Sequence, residues 1–105
     1  MSVSIIGTSH TKVGRLDQDI YQLLVESGKA ALEDSPVEAA EIGGVWVANY
    51  SGGGFNNQEH LAPYAVNIDQ DLRFTPSTRV ENACASGSAA IRSAKLALEA
   101  GEVDY

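Results

Sequence analysis

The segment ENACASGSAAIRSAKLALEAG, residues 81–101, carries Cys84, the single cysteine of the chain. Residue type and position allow two readings. A free cysteine is commonly a small buried hydrophobe with no role in chemistry. Here, however, a short run from Thr78 to Asn82 leads directly into Cys84, and a long stretch of helix formers begins at or just after it. A thiol at such a helix start faces unpaired backbone N–H groups and the positive end of the dipole, which favour its anionic form. Ala85, Ser86 and Gly87 are small enough to admit a substrate to the sulfur. The same N–H groups suit the oxyanion formed when a thiolate attacks a carbonyl. A nucleophile at a strand–turn–helix junction is a general arrangement for acyl transfer. On residue types alone both readings stand, inert filler and nucleophile.

Other chemistry-bearing residues are less organised. Gly52, Gly53 and Gly54 resemble a phosphate cradle only in composition, since the lysine and hydroxyl of a P-loop and the spacing of a dinucleotide fingerprint are missing. A flexible turn is the simpler expectation. His10, His60 and the carboxylates show no metal-ligand spacing, so no metal site is expected. Trp46 and Tyr50 read as packing residues on a strand. Glu26, Glu33, Asp69 and Asp71 read as solvated faces.

Elements that would position Cys84 follow from patterning. VSIIG, Val3 to Gly7, reads as a buried strand ending in a turn. From Asp17 the period becomes helical, with Tyr21, Leu24, Val25, Gly28, Ala31 and Leu32 on one stripe. Asp17 and Asp19 suit its N-terminus, and Glu33-Asp34-Ser35-Pro36 stops it. Ser35, Pro36 and Glu38 then resemble a capping box opening a further helical turn before Gly43-Gly44. Gly44 to Tyr50 is the second strand, and Asn57 to Val66 is a short helix weakened by Pro63. Thr78 to Asn82 is the third strand. Ala85 to Ala100 is a helix rich in small residues, its charges Arg92, Lys95, Glu99 and Glu102 on one narrow stripe, and is expected to be mostly buried. The order β-α-β-α-β-α implies an α/β fold with a mainly parallel sheet and right-handed crossovers. Residues 1–105 form a single domain on this reading, and an incomplete one, because the last helix is followed by residues where a fourth strand is due.

Bulk properties bound the function. The chain has 105 residues, is 44% hydrophobic and 20% charged, and carries a formal net charge of −7. That is the composition of a globular protein, and its acidity disfavours nucleic acid and anionic membranes as partners. One cysteine forms no internal disulfide, which points to the cytoplasm. The N-terminus lacks the pattern of a signal peptide or a membrane span.

CASGSAA at Cys84 to Ala90, entered through RVENA, resembles the nucleophile motif of the thiolase superfamily. The similarity continues in IIGTSHTKVGRL (Ile5 to Leu16), VWVANYSGGG (Val45 to Gly54), NQEHLAPYAV (Asn57 to Val66) and the closing GEVDY (Gly101 to Tyr105). The phrasing NACASGSAA with EHLAP upstream is most similar to the sterol-carrier-protein-type and archaeal acetyl-CoA acetyltransferase branch. The resemblance spans nearly the whole chain and corresponds to the first quarter or so of a family member. It implies an N-terminal thiolase segment in which Cys84 accepts an acyl group from acyl-CoA, for Claisen condensation or thiolytic cleavage. The Cys84 backbone N–H would help form an oxyanion hole, while Ser86 and Gly87 would shape the turn. Coenzyme A would enter as the thioester substrate, with no cofactor. The strand from Thr78 to Asn82 would lie near a dimer interface, in a homodimer or tetramer. The family's activating histidine and second cysteine match neither His10 nor His60, so this chain alone would not turn over, and a complementary segment or chain would supply them. A ketosynthase-type condensing enzyme, with a similar CASG-like turn, is the close catalytic alternative. A noncatalytic chain acting only through partner binding is the alternative of another class.

Overall fold

The computed structural model describes residues 2–105. Its first regular element is helix α1, Ile20–Asp34. The helix starts at Asp19 rather than Asp17 because Asp19 and Gln22 cap each other's backbone: the Asp19 carboxylate accepts from Gln22 N–H at 2.8 Å, and Gln22 Oε1 accepts from Asp19 N–H at 2.9 Å. It ends at Ser35, whose N–H and hydroxyl both donate to the Leu32 carbonyl. The apolar stripe of α1 is half-buried, and none of its residues is fully buried.

A single 3-10 turn, Ala39–Glu41, follows, capped at Glu38. The expected box on Ser35 thus lies three residues later, because Ser35 is already engaged in closing α1. Strand β1, Val45–Ala48, comes next, then the short helix α2, Gly52–Asn56. The glycine run expected as a flexible turn is therefore helical. Ser51 and Asn57 flank it in left-handed conformations, and the N–H groups of Asn57 and Gln58 both reach the Gly52 carbonyl. Two further 3-10 segments, Ala62–Asn67 and Gln70–Leu72, lead to strand β2, Ser77–Val80. Pro63 sits at the start of the first, where its missing N–H costs nothing. Helix α3, Ser86–Glu99, is the last regular element among the described residues. Gly101 at φ +73° ends it in a Schellman arrangement, its N–H on Leu98 and that of Glu102 on Ala97.

Strands β1 and β2 pair in parallel, Val45 opposite Ser77 and Ala48 opposite Val80, giving an α/β architecture with α3 packed on the sheet. The core is small: Val37, Ala39, Leu61, Ala62, Ala65, Leu72, Ala90 and Ala97. Leu61, 1% exposed, is its largest fully buried side chain, and such burial contributes about 1.5–3 kcal/mol. Tyr21 on α1 and Tyr64 share a hydroxyl hydrogen bond of 2.8 Å, to which Gln58 adds a bond of 2.9 Å onto Tyr64. The bond with Tyr21, with burial second, holds the Tyr64 phenol above its usual pKa.

Three further expectations are corrected. Val3 to Gly7 is not a strand in the two-stranded sheet of the described residues, and it is not buried: Ile5 and Ile6 are exposed. A strand requires a ladder, and the chain is instead held laterally just after this segment, Thr8 N–H donating to Asp34 and the Ser9 hydroxyl to the Ser27 carbonyl. Helix α3 is not mostly buried either. It covers Ser86, Ala90 and Ala97 against the sheet and leaves Ile91 and Leu96 exposed, since two strands shield only one of its faces. Tyr50, expected in packing, lies beyond β1 and is exposed, whereas Trp46 is half-buried as expected.

Candidate active site

Strand β2 stops at Val80, and six residues later α3 begins. Between them the chain makes a tight reversal built from nested hydrogen bonds. Ala85 N–H donates to the Asn82 carbonyl at 2.8 Å, and Ser86 N–H donates to the Ala83 carbonyl at 3.2 Å. The Ser86 hydroxyl binds both limbs of the turn: it accepts from Asn82 N–H at 2.8 Å and donates to the Ala83 carbonyl at 2.7 Å. The Glu81 carboxylate accepts from Ala83 N–H. Ser86 is the one buried polar residue among those described, 6% exposed.

Cys84 stands at the apex of this reversal and is exposed. Among the described residues the thiol is thus not buried, and it stands at a strand–helix junction. Ala83 immediately before it has φ +46°, in the left-handed region, which costs a non-glycine residue about 1–2 kcal/mol. No pattern in the sequence signals that strain, because alanine is not a residue that favours the conformation. Ala85, the N-cap of α3, provides no side-chain cap. Backbone N–H groups at a helix start have no partner within the helix, and the regular ladder of α3 opens with Ala89 N–H on the Ala85 carbonyl at 3.0 Å. Thiol and helix start are thus adjacent. Gly87 lies beside them in the first turn, exposed and with open space around its Cα.

The two histidines are not assembled with the thiol. The His10 ring bonds the neighbouring Thr11 carbonyl, and the His60 backbone N–H donates to Gln58 Oε1. His60 lines an open surface groove of about 380 Å³ with Glu59, Ala62, Ser77, Thr78 and Arg79. There Arg79 and Glu59 approach to 3.4 Å, and Arg79 also donates to the Asn49 carbonyl, tying β2 to the end of β1. Among the described residues no cluster of three His, Cys, Asp or Glu side chains is arranged to hold a metal ion. Nor is any helix among them long and apolar enough to cross a membrane.

Parallel strands, a clasped turn and an exposed thiol at the start of a sheet-packed helix define an α/β protein that presents a cysteine at a strand–helix junction. Its family is more specific: residues 3–105 match the thiolase N-terminal domain, and the chain belongs to that family. Among curated proteins it is 42% identical over 103 residues to an acetyl-CoA acetyltransferase of Methanothermobacter thermautotrophicus. It is likewise 42% identical over 103 residues to an acetyl-CoA acetyltransferase of Methanocaldococcus jannaschii. Each alignment covers 97% of this chain but only 27% and 26% of the respective relative. The chain thus spans about a quarter of the length of the relatives it matches.

Proposed function

We propose that this chain contributes the acyl-accepting thiol of a thiolase-type acyltransferase, with Cys84 as the nucleophile and a coenzyme A thioester as substrate. The observation that carries the proposal is the exposed Cys84 at the strand–helix junction, in a chain of the thiolase N-terminal domain family. In the acylation step the Cys84 sulfur attacks the thioester carbonyl. A carbon–sulfur bond forms, the carbonyl electrons move to oxygen, and the backbone N–H of Cys84 helps stabilise that oxyanion, those of Ala83, Ala85 and Ser86 being engaged within the turn. Collapse of the tetrahedral species expels coenzyme A as its thiolate and leaves the acyl group on Cys84. The thiol proton goes to a base outside residues 2–105, since the His10 ring is bonded to the Thr11 carbonyl and His60 lines a groove with Glu59, Ser77, Thr78 and Arg79 that does not include Cys84. The acylated thiol then serves a Claisen condensation, or the reverse reaction cleaves a 3-ketoacyl thioester. The similarity to acetyl-CoA acetyltransferases favours this reading over a ketosynthase-type condensing enzyme. The complete assembly would be a homodimer or tetramer in the cytoplasm, with the acid–base groups contributed by the rest of the parent chain or by a complementary one.

The test is acetyl transfer to a single residue. The intact protein is incubated with acetyl-CoA, digested with trypsin, and the peptide Val80–Arg92 is weighed. An acetyl group on Cys84, lost in Cys84→Ala with the thermal midpoint unchanged, is the expected result. Absence of acetylation, or acetylation that survives Cys84→Ala, would return the noncatalytic partner-binding reading.

A further inference from the structure

We infer that Ser86 is a positioning residue for Cys84: its buried hydroxyl clasps the turn and holds Ala83 in the left-handed conformation that sets where the thiol projects. The inference rests on the reading of Cys84 as the nucleophile, but its geometry is independent of any substrate. Left to itself, an alanine abandons φ +46° for the right-handed or extended region. Something in the surroundings must impose that conformation. The Ala83 carbonyl is bonded twice by Ser86, through its N–H at 3.2 Å and its hydroxyl at 2.7 Å. The hydroxyl also accepts from Asn82 N–H at 2.8 Å, so one oxygen spans both peptide units flanking Asn82 and Ala83. Because Ser86 is buried at the first position of α3, it is fixed to the helix and transmits the helix's placement to the turn. Glu81 is the competing holder, through its bond to Ala83 N–H, but it is exposed, and solvent can replace it. Water has no comparable access to the Ser86 oxygen.

The mechanism makes Ser86 and Ala83 energetically coupled. Removing the hydroxyl matters because residue 83 is an alanine, and it should matter far less if residue 83 is a glycine, which occupies the left-handed region without steric cost. The experiment is a double-mutant cycle in the intact protein, Ser86→Ala, Ala83→Gly and the pair. The readout is the second-order rate of Cys84 alkylation by iodoacetamide, followed by mass spectrometry of the Val80–Arg92 peptide. Ser86→Ala is expected to slow alkylation about fivefold or more, and adding Ala83→Gly should restore it to within about twofold of the parent. Ser86→Thr, which keeps the hydroxyl, should stay near the parent rate. Should Ser86→Ala fail to fold, the pair still decides: folding and parent-like alkylation of the pair supports the clasp, and its failure to fold overturns it. Parent-like rates in Ser86→Ala, or equal slowing with and without Ala83→Gly, would also overturn it, the latter leaving Ser86 as a merely structural residue. Acetyl-CoA labelling is run beside the cycle. If the parent takes no acetyl group while the alkylation cycle behaves as stated, the functional reading falls and the clasp stands.

Discussion

At the scale of the residue, the chemistry turns on whether a thiol is accessible. Cys84 is exposed, with small neighbours on its C-terminal side and the start of α3 next to it. Alkylation of the folded protein by iodoacetamide should therefore run at least as fast as alkylation after denaturation, where a buried thiol would react only once unfolded. The comparison of the two rates on the same peptide checks this. A folded rate far below the denatured one would put Cys84 back among inert buried side chains. Proximity of Cys84 to a helix start is legible in the sequence, because β-branched residues before it and helix formers after it mark the junction. The strain at Ala83 is not legible, since it arises from hydrogen bonds between atoms three residues apart in a turn that no local preference selects.

At the scale of the element, two small features decide how the segments are held. The Asp19–Gln22 capping box starts α1, and α1 in turn holds the N-terminal segment through Asp34 and Ser27. Asp19→Ala should cost about 1 kcal/mol, measured as a lowered midpoint in urea with an unchanged slope. Gly7 lies where that segment crosses the end of α1. A Cβ there would stand 2.6 Å from the Ala31 carbonyl oxygen and 2.8 Å from Ser35 Cβ. Neither is the far end of a flexible side chain, so Gly7→Ala should destabilise by about 1–3 kcal/mol in the same measurement. An unchanged midpoint would mean that the crossing is looser than the structure describes. Helices α1 and α3 and the parallel pair β1–β2 are legible in the sequence because each has a clear period or a run of β-branched residues. The segment from Val3 to Gly7 shows where that reasoning stops. Its residues have strand preference, but a strand exists only with a ladder partner, and partnering is a property of the fold. The glycine run shows the converse: helix α2 forms without helix formers, because its flanking left-handed residues and the Gly52 carbonyl close the turn.

At the scale of the molecule, the proportion of covered to uncovered apolar surface sets the behaviour of the chain. Two parallel strands leave both sheet edges without a further strand among the described residues, where parallel sheets are ordinarily covered on both faces. Large side chains stand in solvent, with Phe55 85%, Phe74 88% and Val13 87% exposed, and Ile91 and Leu96 line the outer side of α3. A net charge of −7 opposes association by repulsion, yet repulsion at physiological salt is screened within about 8 Å and does not offset contact between apolar patches. Expressed as residues 1–105 alone, the chain should therefore sediment as a concentration-dependent mixture of oligomers, with little change between low and moderate salt. The relatives it resembles are about four times longer, and in the proposed function the additional chain covers these surfaces and brings the acid–base groups to Cys84. A strictly monomeric sedimentation profile over a wide concentration range would contradict the argument, because it would mean that the exposed side chains are too dispersed to act as an interface. In that event the stability of the 105-residue unit would rest on its small core, and Cys84 would be displayed by an independent module.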